Sequence, residues 1–124
     1  MRHSALLLIA LAISVATLSQ PASTAERIDG HQLLEQCEKL GEGPAKNYYA
    51  GTCAGYIMGV IDSHNGAAGT EKMPEPYFCI PGDVSRGQLI DIVLKYVEAH
   101  PERRHFGGAT LIWIALVFEY PCQY

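Results

Sequence analysis

Apolar positions recur along the chain with a helical period in four stretches, and the polar residues between them carry start and stop signals. The first stretch runs from Gly30 to Leu40. Asp29 and Gln32 stand in capping-box relation at its start, Leu33, Leu34, Cys37 and Leu40 share a face, and Gly41 is a stop. The second opens at Gly43-Pro44, where proline suits a first helical position, and continues to about Asn65-Gly66. On its helix Cys53, Ile57 and Val60 fall on one face and Gly51, Gly55 and Gly59 on roughly the opposite one, with Ala54, Met58 and Ile61 between. A helix apolar nearly all round predicts neighbours on more than one side, and the glycine stripe predicts a close approach by one of them. Thr52 and the tyrosines suit a soluble core helix better than a membrane span.

Asn65 to Asp83 has three glycines, three prolines and no sustained period, so it reads as a loop, long for a domain of this size. Ser85 and Gln88 form a second capping box before a helix whose buried stripe is Leu89, Ile92, Val93, Tyr96 and Val97. Pro101 ends that helix and opens the next, whose run from Ala109 to Phe118 is too apolar to face water. The expected architecture is an all-α bundle of four helices, the last one broken near Gly107-Gly108.

The four cysteines refine this picture. Cys37, Cys53, Cys79 and Cys122 include no CxxC pair, which argues against a zinc knuckle or a thioredoxin-like redox site; no metal or cofactor is expected. An even count in a small exported domain reads as disulfides. If helices one and two form one antiparallel hairpin and three and four another, Cys37 meets Cys53 and Cys79 meets Cys122, the favoured pairing among three. Each bond would stabilise the domain by about 2 to 4 kcal/mol.

Residues 1–25 differ from the rest. Arg2, an apolar run from Ala5 to about Leu18, Pro21, and small residues at Ser23 and Ala25 have the layout of a secretory signal cleaved after Ala25. The run falls short of the roughly 20 residues a membrane span needs, and the domain at 26–124 is expected to be free of the membrane after cleavage. Losing Arg2 deepens the net charge of −4 to about −5, which disfavours a nucleic-acid partner and suits a basic protein surface.

"GHQLLEQCEKL", "CAGYIMGVIDSH", "YFCIPGDVSRGQLIDIVLKYVEAHPERRH" and "ALVFEYPC" follow one another across nearly the whole of 26–124. In that order they resemble the successive blocks of the Rap/Tai family of type VI secretion immunity proteins. The resemblance implies a small helical, disulfide-bonded periplasmic protein, commonly a homodimer, that binds a peptidoglycan amidase toxin from neighbouring cells and blocks its active site. The family's contact surfaces use exposed loop and helix-end residues that form no transferable motif.

The candidate contact segment in this chain is therefore read from its own residues. It is Ser63 to Tyr77, with Ser63, His64, Asn65, Glu71, Lys72, Glu75 and Tyr77 as candidates, because a protruding loop can enter a cleft and Glu71 or Glu75 can meet a basic rim. The competing reading is a tether that crosses the bundle. Gly51, Gly55 and Gly59 are the candidate helix-packing or dimer seam. No catalytic residues are assigned. Asp62 and His64, two apart, do not share a helical face, and no nucleophile pattern accompanies His64, His100 or His105. His64 and His100 read as polar helix ends. Rival readings are a periplasmic acid-stress chaperone, which would open at low pH, and an orphan protein-binding module that kept only the frame.

Overall fold

The computed structural model describes residues 27–38 and 46–123 of the chain. The expected secretory segment with its cleavage point, Leu40, and the expected turn from Gly41 to Pro44 lie outside the described residues. Four helices follow in order: α1 (Gly30–Glu38), α2 (Lys46–Ala67), α3 (Arg86–Ala99) and α4 (Gly108–Glu119), with a 3₁₀ turn at Pro101–Arg103 before the last. The helical bundle expected from the pattern is the fold observed.

Both capping boxes form. Asp29 Oδ1 accepts from the Gln32 amide at 2.9 Å while the Asp29 amide donates to Gln32 Oε1, and Ser85 and Gln88 repeat the arrangement before α3. Each pair satisfies two amides that a helix start leaves without intrahelical acceptors. At the far end of α3, Arg104 folds back and donates from Nε to the Val97 carbonyl and from Nη2 to that of Glu98. This guanidinium cap stops the helix where Pro101 cannot continue it.

The cysteines pair Cys37 with Cys53 and Cys79 with Cys122, tying α1 to α2 and the start of the α3–α4 hairpin to its end. The core between the tied pairs is Leu33, Leu34 and Cys37 of α1, Cys53, Ile57 and Ile61 of α2, Leu89, Val93 and Val97 of α3, and Leu111, Ile112, Ala115 and Leu116 of α4, with Phe78 from the loop. One close approach locks the N-terminal strand of chain onto this core. The Gly30 amide donates to the Arg104 carbonyl at 2.8 Å, and a Cβ on Gly30 would lie 2.9 Å from the Arg104 backbone and 2.6 Å from Leu111 Cδ1. Only glycine fits there.

Two expectations about burial are corrected. α2 is not covered all round: its buried face is Cys53, Ile57, Ile61 and His64, Val60 is only half-buried, and Gly51, Gly55 and Gly59 face outward. A Cβ placed on any of the three glycines would meet no atom within 4 Å, so neither α4 nor any other described element packs on the stripe. α4 is not wholly buried either. Its inner face fills the core, while Val117 is 39% and Phe118 70% exposed. A bundle of this size has too few elements to cover both sides of two apolar helices.

Candidate protein-binding surface

The uncovered faces of α2 and α4 meet along one open groove of about 820 Å³. Its floor on the α2 side is Gly55 and Gly59, bordered by Tyr56, Val60 and Ser63. Its opposite wall is the outer face of α4, from Ala109 and Thr110 through Trp113 and Ile114 to Val117 and Phe118. The lining includes no Asp, Glu, Lys or Arg. Helical geometry explains the shape: glycines four apart remove side chains from one strip of α2, and residues 113, 117 and 118 project from one side of α4.

Tyr77, 56% exposed, closes one end of the groove, and there the loop joins it. The loop leaves α2 through Gly69, whose positive φ of 79° suits glycine, and makes a tight turn in which Thr70 and Met73 pair. Glu71 and Lys72 sit at the exposed tip of that turn, and Glu75 is exposed on the way back. The chain then re-enters the bundle: the Tyr77 amide donates to His64 Nε2 at 3.0 Å, Phe78 is buried, and the Cys79 amide donates to the Tyr120 carbonyl. The two readings of the segment thus divide by position. Residues 69–72, 74 and 75 are exposed, Met73 and Pro76 are half-buried, and residues 77–79 tie the chain back to the bundle.

His64 is placed differently from the expectation of a polar helix end. It is 1% exposed, its ring stacks on Phe78 with centroids 3.7 Å apart and an interplanar angle of 17°, and the edge of Trp113 meets it at 5.6 Å. Nδ1 lies 3.2 Å from Asn65 Oδ1. Both ring nitrogens thus have hydrogen-bonding neighbours within the chain, and the ring has almost no solvent-exposed surface. Its environment is aromatic and non-local, so the local sequence around position 64 gave no sign of it.

Of the other candidates, Ser63 and Tyr77 are brought together in the groove, and Asn65 is exposed beside them. Gly55 and Gly59 line the groove, whereas Gly51 faces outward beyond it. The α4 residues Val117 and Phe118 are surface that the apolar pattern assigned to the core, and Trp113 is half-buried between core and groove. A cue was available: a helix of high mean hydropathy combined with a glycine stripe leaves more apolar face than one small bundle can cover. His100 is the helix end read from the sequence: it caps the C-terminus of α3 and is half-buried, with Nδ1 2.8 Å from the Tyr96 carbonyl and its ring stacked on Tyr96. Among the described residues no group of His, Cys, Asp and Glu is arranged to hold a metal ion, and no helix is long and apolar enough to cross a membrane. The surface so formed is an uncharged groove joined to an exposed loop with charges at its tip.

No curated protein and no solved structure matches the chain. The family model of the Rap1a immunity proteins matches residues 29–122, from the first helix cap to the last cysteine. A match over that span covers the whole disulfide-tied frame, and the chain belongs to the Rap1a family of immunity proteins.

Proposed function

We propose that this chain is exported by its N-terminal segment, loses residues 1–25, and acts in the periplasm as a homodimer that binds and inhibits a peptidoglycan amidase toxin delivered by type VI secretion. The observation that carries the reading is the exposed turn at residues 69–75. It lies between the two disulfide-tied pairs and presents Glu71 and Glu75 to solvent, an exposure and charge that suit contact with the basic rim of an enzyme cleft. Family membership supports a toxin as the partner, and the disulfides suit an oxidising compartment.

The groove is the proposed dimer seam. The chain is anionic overall, so a second copy is repelled except where charge is absent, and the groove lining has none. It also presents a flat glycine floor next to a ridge of Val117 and Phe118, so a two-fold axis can set each ridge over the partner's floor.

The test is a calorimetric titration of purified amidase toxins into the wild type and into Glu71→Lys combined with Glu75→Lys. The double variant is expected to weaken binding about tenfold or more with an unchanged Tm, because surface charge reversals on a loop cost little stability. Unchanged affinity rejects the loop as the contact. The exposed groove also favours a second reading, a chaperone for unfolded periplasmic clients. A rise in apolar-dye binding on acidification, with loss of dimer, supports that reading; a compact dimer at acid pH that binds one amidase rejects it.

A further inference from the structure

We infer that His64 is a positioning residue for the partner-binding surface: by accepting the Tyr77 N–H at Nε2 it holds Tyr77 against Trp113 and so joins the loop and the groove into one continuous surface. The inference rests on the reading that the loop contacts a partner, although its physical part stands on its own.

An imidazole nitrogen accepts a hydrogen bond only when it carries no proton, so the 3.0 Å contact from the Tyr77 amide fixes the proton of neutral His64 on Nδ1, which donates to Asn65 Oδ1. Two aromatic rings pack on the imidazole. Phe78 stacks on it, and the Trp113 edge meets it from α4. Tyr77 in turn lies with its ring centroid 5.4 Å from that of Trp113, and both rings line the groove. The Cys79–Cys122 bond and the Cys79 amide on the Tyr120 carbonyl hold the chain just after Tyr77, and one buried side chain of α2 holds the Tyr77 amide itself at the end of the groove. Among the described residues the Tyr77 amide donates no other hydrogen bond. The next residue, Phe78, is held by burial and by its stacking on the same His64 ring.

The experiment is site-resolved amide exchange on the full chain, as wild type, His64→Leu and His64→Gln, with the ring ¹⁵N signals of wild-type His64. Leu keeps apolar contact with Phe78 and Trp113 but accepts no hydrogen bond, whereas Gln retains an acceptor oxygen. The expected result is that the Tyr77 amide exchanges about tenfold faster or more in His64→Leu, while interior amides of α2 and α4 keep wild-type protection. His64→Gln should recover much of the protection, and wild-type His64 should show a protonated Nδ1 and an unprotonated Nε2. Unchanged Tyr77 exchange in His64→Leu, no recovery in His64→Gln, or a protonated Nε2 in the neutral ring overturns the inference. Should His64→Leu fail to fold, the Gln variant and the ring signals decide it. None of these readouts needs a toxin, so they separate from failure of the immunity reading, which the amidase titration reports. Where an amidase binds, its affinity should fall in His64→Leu and be restored in His64→Gln; equal affinity in all three chains would also overturn the positioning role.

Discussion

The two faces of α2 are built from the same run of small and apolar residues and have opposite surroundings. On one, Cys53, Ile57, Ile61 and His64 are enclosed by α1, α4 and the returning loop; on the other, Gly51, Gly55 and Gly59 meet nothing. Glycine on the closed side of a domain marks a contact, as Gly30 does against Arg104 and Leu111. Glycine on the open side of α2 is a cost the single chain does not recover, because each one weakens the helix and gains no packing. A residue type alone therefore says little about packing; the space around its Cβ decides.

The difference can be broken most strongly on the closed face. Ile57→Ala empties a fully buried site shared by the helices and is expected to lower stability by about 2 to 5 kcal/mol, measured by denaturant unfolding. Next in size is the loss of the bond that closes the α3–α4 hairpin. Cys79→Ser with Cys122→Ser should cost about 2 to 4 kcal/mol and, since Cys79 follows the tether directly, should also loosen Tyr77 in proteolysis of the loop. The smallest effect has the opposite sign and sharpens the contrast. Gly59→Ala should stabilise the dilute monomer by about 0.5 to 1 kcal/mol, since a methyl group there meets no atom and the helix gains propensity. Gly30→Ala, the same chemical change on the closed side, should destabilise. A Gly59→Ala monomer of lowered Tm would mean that the open face is not open.

Much of the frame was legible because it is local. The Asp29–Gln32 and Ser85–Gln88 boxes are three-residue relations, and the break at Gly107-Gly108 is a pair of adjacent glycines. The disulfide pairing followed once the helices were ordered as two hairpins. His64 was misread because its partners are Tyr77, Phe78 and Trp113, which reach it through a loop and from another helix. The outer face of α4 was misread for a different reason. Periodicity reports which residues would gain from burial, whereas whether a covering element exists depends on how many elements the domain has. Phe118, exposed on a helix that reads as core, shows the gap between the two.

The spacing of the cysteines has a consequence for how the chain matures. Cys37–Cys53 spans 16 residues and Cys79–Cys122 spans 43, and the two intervals neither overlap nor nest. A chain emerging N-terminus first presents the partner of its first thiol before its third thiol appears, and the shorter loop carries the lower closure cost. Sequential oxidation in order of emergence thus yields the native pairing directly, and a protein of this design can reach its working form without depending on reshuffling of mispaired bonds.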